Sequence, residues 1–190
     1  MSSVPIEWFE ERYAGNPDPW GFSNRWYESR KYALTVAALP RQRYFRGFEP
    51  GCSIGVLTAA LAARCDYLLA VDGSEIPLEQ ARERVKALDQ VEVGRLLLPT
   101  QWPDGPWDLV VLSEIAYYFD SCDLANLLGR AADTMVTGAT LVAVHWRGPT
   151  DYPQSGDAVH AAIGEHPAFE HSGGYCETSF RIDVYDRHHR

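Results

Sequence analysis

The residues with the strongest chemical potential stand directly after short apolar runs. Glu49-Pro50-Gly51-Cys52-Ser53-Ile54-Gly55 closes the first of these runs. Glycines at such a turn let a ligand approach the backbone closely. Asp72 ends the next run, 21 positions after Gly51, where a carboxylate can accept from the ribose hydroxyls of a nucleotide. Glu114 follows Trp107 to Leu112, and an acid there is rarely buried without a partner. His145 closes a further apolar run; an imidazole with an unperturbed pKa of about 6.5 can take a proton near neutrality. Arg147 beside it would keep that ring neutral, because like charge disfavours a second cation. His160, Tyr117 and Tyr118 complete a candidate acceptor site, with one tyrosine ring expected to face it. Each residue has a purely structural alternative. Asp72 could start a helix, His145 could be satisfied by backbone, and the Tyr117-Tyr118-Phe119 rings could be core.

Two nucleotide classes fit these residues. The loop reads Gly-x-x-x-Gly, whereas a nicotinamide enzyme favours Gly-x-Gly-x-x-Gly. Tyr27 and Lys31 match the Tyr-x-x-x-Lys pattern of short-chain dehydrogenases, but they precede the glycine loop instead of following it. Four residues apart, they share one helical face.

The elements that must position these groups alternate. The spacing predicts strands over 44–49, 67–71, 91–98, 107–112 and 140–146, with helices over 55–64, 77–88, 120–133 and 155–163 between and after them. The continuous apolar runs at Trp107 and Thr140 read as strands buried on both faces. Two closing strands, 169–176 and 179–186, form an antiparallel hairpin. In the second, Phe180, Ile182 and Val184 alternate with Arg181, Asp183 and Tyr185. The expected fold is therefore α/β and Rossmann-like: a seven-stranded, mostly parallel sheet with helices on both faces. Ligands bind such sheets beyond the carboxyl ends of the strands. Residues 1–43 form a separate helical arm, rich in aromatics (Trp8, Phe9, Tyr13, Trp20, Phe22, Trp26) and broken at Asn16-Pro17-Asp18-Pro19. Its stretch 24–39 reads as helix. The whole chain, 1–190, reads as one domain, with 44–190 as its core.

Composition removes other classes. The 190 residues are 46% hydrophobic with a net charge of −9, globular in composition and opposite in sign to a nucleic-acid binder. No apolar run reaches the roughly 20 residues a bilayer requires. Glu7, Glu10 and Glu11 near the start argue against a signal peptide. The four cysteines are scattered, which points to reduced thiols in the cytoplasm. No cluster has metal-ligand spacing, and His188-His189 is a short pair only, so no metal is expected.

The motifs together resemble one family. Glu49 to Thr58 (EPGCSIGVLT) resembles motif I of the class I S-adenosylmethionine-dependent methyltransferases. With Asp18-Pro19-Trp20, Trp26-Tyr27-Glu28, Arg30-Lys31-Tyr32, Trp107 to Tyr118 (WDLVVLSEIAYY) and His145-Trp146-Arg147, the text resembles the nodulation-protein-S-like N-methyltransferases over nearly its whole length. The resemblance implies S-adenosylmethionine as cofactor and S-adenosylhomocysteine as product. It sets Glu49, Gly51, Cys52, Ser53 and Gly55 against the methionyl part and Asp72 on the ribose. Gly73, Ser74, Leu97 and Leu98 fall near the adenine, and Ser113 and Glu114 between cofactor and substrate. Trp20, Tyr27 and Lys31 become part of a lid. Ser53 stands where motif I often has glycine. Leu97 stands where many members carry an acid, so the adenine amino contact falls to a backbone group. The implied acceptor is a small molecule, an amino sugar or oligosaccharide amine, with Tyr117, Tyr118, Arg147 and His160 at its site and His145 or Glu114 as base. An O-methyltransferase, or a nucleotide-binding protein without turnover, would use the same parts.

Overall fold

The structure is a computed structural model that describes residues 2–188; His189 lies outside the described residues. Seven strands form one sheet: β1 (Tyr44–Pro50), β2 (Cys65–Asp72), β3 (Val91–Arg95), β4 (Trp107–Ser113), β5 (Met135–Trp146), β6 (Phe169–Cys176) and β7 (Phe180–Arg187). Their order is β3-β2-β1-β4-β5-β7-β6. The first five run parallel, while β7 pairs antiparallel with both β5 and β6. The order reverses between β1 and β4, and the crevice outside that point is where such sheets bind ligands.

Among the described residues six α-helices complete the fold: α1 (Ile6–Gly15), α2 (Trp26–Ala38), α3 (Val56–Ala62), α4 (Glu75–Val85), α5 (Ser121–Thr134) and α6 (Gly156–Glu165), with one 3-10 turn at Ala116–Tyr118. Two apolar clusters lie on opposite faces of the sheet. One gathers Phe48, Trp107, Val110, Leu127 and Ile163; the other gathers Leu61, Leu68, Leu109, Val142 and Ile182. Alternate residues of β4 and β5 feed the two clusters, because successive strand side chains point to opposite faces. Helix α5 starts where expected: Asp120 caps it, accepting from the N–H groups of Cys122 and Asp123.

Most boundaries shift by one to three residues, as for α4 at Glu75–Val85 against 77–88, and three differences are larger. The 91–98 strand ends at Arg95; the N–H of Leu97 turns to the side chain of Gln101, so Leu96 to Leu98 leave the sheet. The 140–146 strand begins at Met135, which pairs with Trp107 before a register shift. Within the arm, α1 forms ahead of the 24–39 helix.

Candidate active site

At the carboxyl edge of β1, β2 and β4 lies a cavity roofed by the arm and floored by the turns after those strands. The glycine loop forms its base. Gly51 has φ +75, and a Cβ there would meet Ile115 Cδ1 at 2.7 Å, so only glycine fits. Gly55 has φ +76, with Ala81 of α4 3.0 Å from where a Cβ would stand. It supports the loop without lining the cavity. Ser53 adopts φ +50, a region that costs an L-residue about 1–2 kcal/mol. Its side chain is used: Ser53 Oγ and the Tyr13 hydroxyl lie 2.6 Å apart, tying α1 to the loop.

Asp72 is held from both sides. Its Oδ2 accepts from the Ser53 N–H at 3.0 Å and its Oδ1 from the Ser74 N–H at 2.9 Å. The Gly73 N–H also acts on the carboxylate, which has about four lone-pair sites in all, and the side chain lines the cavity. Burial raises its pKa above the ordinary carboxylate value. Ser74 stands behind it at the start of α4. Glu49 is only 2% exposed, yet it too lines the cavity. Its Oε2 has no hydrogen-bond partner, and burial pushes its pKa up to about 8.

Glu114 sits across the cavity in the turn after β4, at φ +54. Three donors converge on its carboxylate. Lys31 Nζ reaches Oε1 at 2.5 Å; the Tyr117 hydroxyl and the Trp146 N–H reach Oε2 at 2.6 and 3.0 Å. Lys31 is 1% exposed and also lies 2.9 Å from Glu28 Oε2. The two carboxylates, one cation and the flanking Tyr27 and Tyr32 rings form a buried ionic knot under the arm.

His145 belongs to a different network. It is fully buried and absent from the cavity wall. Its Nε2 accepts from the Ala116 N–H at 3.2 Å, so the ring proton is on Nδ1. Nδ1 lies 3.2 Å from His160 Nε2, and His160 Nδ1 lies 2.8 Å from Asp183 Oδ2. The chain is satisfied only with both rings neutral. Burial, then His160 and Lys31, lower the His145 pKa well below its ordinary value; Arg147 is not among the causes. Arg147 instead makes a paired contact with Asp157, at 2.9 and 3.0 Å.

The cavity thus collects Trp20, Glu49, Gly51, Cys52, Ser53, Asp72, Gly73, Leu97, Leu98, Ser113, Glu114 and Tyr118 from the expected site residues. It does not collect Tyr27, Lys31, Gly55, Ser74, Tyr117, His145, Arg147 or His160. Lys31 is drawn to Glu28 and Glu114 instead of the cavity, and Tyr27 packs edge-on against Phe180. Of the paired tyrosines, Tyr118 faces the site while Tyr117 braces Glu114. The backbone of Leu97 is also unavailable to an adenine, since its N–H and carbonyl both serve the turn to Gln101.

Sequence reasoning missed Ile6, Phe9 and Tyr13 as wall residues. Their spacing of three and four marks one helical face and would have revealed them. A second groove opens beside the cavity, lined by Trp8, Trp20, Trp146 and Tyr152 with Arg12 and Asp151, and shares Trp20 with it. The Arg12 guanidinium already stacks 3.2 Å over the Trp8 ring. Among the described residues, no helix is long and apolar enough to cross a membrane, and no group of His, Cys, Asp or Glu could hold a metal ion.

Nodulation protein S of Rhizobium tropici is 23% identical over 127 residues, covering 66% of this chain and 53% of its own length. The chain thus spans about half the length of that relative. A Pseudomonas syringae structure, provisionally named a methyltransferase, is 42% identical with TM-score 0.77, covering 86% of this chain and all of that one. The N-methyltransferase NodS of Bradyrhizobium japonicum, solved with S-adenosylhomocysteine, is 19% identical and shares the fold. Its TM-score is 0.86, with 95% of this chain and 97% of that one covered. The family model for nodulation protein S matches residues 9–138. The chain belongs to the nodulation protein S (NodS) family.

Proposed function

We propose that the protein transfers a methyl group from S-adenosylmethionine to the nitrogen of a small-molecule amine, with an amino sugar or an oligosaccharide ending in one as acceptor. The observation that carries this reading is the charge of the cavity wall. Among the described residues that line it, three are acids (Glu49, Asp72 and Glu114) and none is Lys, Arg or His. Such a wall suits positively charged ligands, because an opposite charge offsets the penalty of burying a carboxylate. Bound there, the cofactor supplies a methyl group already activated by a sulfonium.

The residues fit that cofactor. Asp72 lines the cavity with acceptor capacity left for a ribose hydroxyl, and the Gly51 turn leaves room for close backbone approach. The unpartnered oxygen of Glu49 suits the cofactor's ammonium group. The protein's own task is then to orient the acceptor and exclude water. Glu114, held by its three donors, is placed to accept from an acceptor N–H. The apolar arm residues roof the site against solvent. His145 does not serve as base in this reading, since its ring is sealed from the cavity.

An amine is favoured over a hydroxyl acceptor because Glu114 has no cationic neighbour on the cavity side. The tryptophan-lined groove offers flat apolar faces of the kind that stack on sugar rings. The amino sugar itself rests on kinship with the nodulation proteins. Four unpaired cysteines support action in the cytoplasm.

The test is twofold. Calorimetry should show S-adenosylhomocysteine binding with no competing nicotinamide affinity. Labelled cofactor should methylate glucosamine or a deacetylated chito-oligosaccharide, but not the fully acetylated oligomer. Methyl transfer to hydroxyl-only acceptors would reverse the choice of nitrogen, and preference for a nicotinamide cofactor would overturn the reading.

A further inference from the structure

An amine bound as its ammonium must lose a proton before its nitrogen has a lone pair to offer, and the proposed function leaves that proton without a destination. The cavity offers few acceptors. Tyr13, Tyr32 and Tyr118 hold their protons, because burial raises the pKa of each. Burial does the same to the Cys52 thiol. Asp72 and Glu49 stand on the glycine-loop side, committed to the cofactor in that reading. His145 is closed off by Ala116 and His160. Glu114 remains.

Glu114 does not act alone. Its Oε1 accepts from Lys31 Nζ at 2.5 Å, and the same Nζ makes an ion pair 2.9 Å from Glu28 Oε2, an oxygen that no donor meets at hydrogen-bonding angles, so the ammonium must turn to deliver a proton to it. Glu114 lines the cavity and Glu28 does not. One lysine therefore bridges a carboxylate that meets the acceptor and a carboxylate withdrawn behind it. All of this is buried: Lys31 is 1% and Glu28 6% exposed.

We propose that Lys31 relays the acceptor's proton from Glu114 to Glu28, which stores it outside the cavity while the methyl group is transferred. The balance is simple. The acceptor nitrogen loses one proton to Glu114 Oε1. Lys31 passes one of its own to Glu28 Oε2 and is refilled from Glu114. Glu114 ends as carboxylate and Lys31 as ammonium, as they began. The net change is ammonium plus Glu28 carboxylate to amine plus Glu28 acid, and Glu28 later releases the proton to solvent.

Charge supports this direction. With both acids ionised the knot carries a net negative charge in a dry site, which is costly. Glu28 is the member suited to neutralise it. Burial raises its pKa, Lys31 opposes that and Glu114 adds to it. The groups facing Glu28 are Lys31 and Tyr32 on its own helix and Glu114 from the sheet side. Those facing Lys31 are Glu114 and Glu28, the Tyr27 and Tyr32 rings and, from the sheet side, His145. Lys31 and Glu28 are positioning and proton-carrying groups; neither touches the acceptor.

Two substitutions and one spectrum test the relay, which rests on the methyl-transfer reading. Glu28→Gln should lower turnover of glucosamine at pH 7 by about tenfold or more, with the deficit shrinking as pH rises and more amine is free. Affinity for S-adenosylhomocysteine should stay unchanged. Lys31→Arg keeps a cation between the acids, but a guanidinium does not give up its proton, so it should show the same loss. Infrared difference spectra of ligand-free wild type against Glu28→Gln should show a carboxylic-acid carbonyl band that titrates above the ordinary carboxylate range. A Glu28→Gln enzyme with the wild-type rate and pH profile would overturn the relay, as would a fully active Lys31→Arg enzyme or a missing infrared band. Wild-type enzyme that binds S-adenosylhomocysteine yet methylates no amine would instead defeat the reading beneath it.

Discussion

Replacing Glu49 by Gln should strengthen the ligand-free fold and weaken cofactor binding at once. Glu49 is buried, its Oε2 meets no donor at hydrogen-bond geometry, and the nearby Thr58 hydroxyl only partly offsets that burial. Burial lifts its pKa from 4.5 to about 8 in the fold. An acid with a raised folded pKa favours the unfolded state as pH rises, because the unfolded chain loses its proton first. The penalty starts near pH 4.5, grows by about 1.4 kcal/mol per pH unit, and levels off near pH 8. At pH 7 it amounts to about 3 kcal/mol. Glutamine carries no such proton, so Glu49→Gln should recover about that much at pH 7 and almost nothing at pH 4.5. Urea denaturation of both proteins at several pH values reads the difference directly. Comparing wild type with variant cancels the other buried acids. Binding should move the other way. A cationic cofactor group needs the carboxylate, so S-adenosylhomocysteine affinity in wild type should rise toward pH 8, with a proton released to buffer on binding at pH 7. The variant should bind roughly tenfold or more weakly with no such release. A variant no more stable than wild type at pH 7, or one binding S-adenosylhomocysteine unchanged, would refute the argument.

Other outcomes follow from the same geometry. Asp72→Ala should weaken S-adenosylhomocysteine binding by roughly 1.5–3 kcal/mol; unchanged calorimetric affinity would remove Asp72 from the site. His145→Ala should lower stability by about 3 kcal/mol or more through the stranded Ala116 and His160 groups, without shifting the pH profile of turnover; a folded variant with a selectively altered profile would restore the ring as base. The neutral His145 ring should also make wild type lose stability as pH falls below about 6.5, where the unfolded ring takes a proton that the folded one refuses, and the difference from a His145→Phe variant in acid denaturation should show it. The arm up to Tyr32 should resist proteolysis with S-adenosylhomocysteine bound and be cut faster without it; equal rates would deny it the role of lid.

The sequence by itself determined whatever is encoded locally. Apolar runs at Trp107 and Thr140 read as strands buried on both faces, and they are; the alternation from Phe180 marked a strand but not its surroundings, since the expected wet face carries Asp183 and Tyr185, buried where β7 lies between β5 and β6. Gly51 and Asp72 could be singled out because turn glycines and a strand-end acid act over a few residues, and both line the cavity. Such signals need no knowledge of distant neighbours, so the sheet, the glycine-loop wall of the cavity and the family resemblance were all legible. Tertiary structure decided the acceptor side. Lys31 meets Glu114 across 83 positions, and Asp183 reaches His145 only through His160. Nothing near His145 in the chain discloses that both its nitrogens are taken, or that Arg147 turns to Asp157. A titratable residue's role depends on burial and on partners brought together by folding, and these follow from how helix, turn and sheet edge pack. The same holds for Tyr13, whose hydroxyl meets Ser53 from a helix 40 residues away, and so gives a purpose to the serine in a place that usually takes glycine.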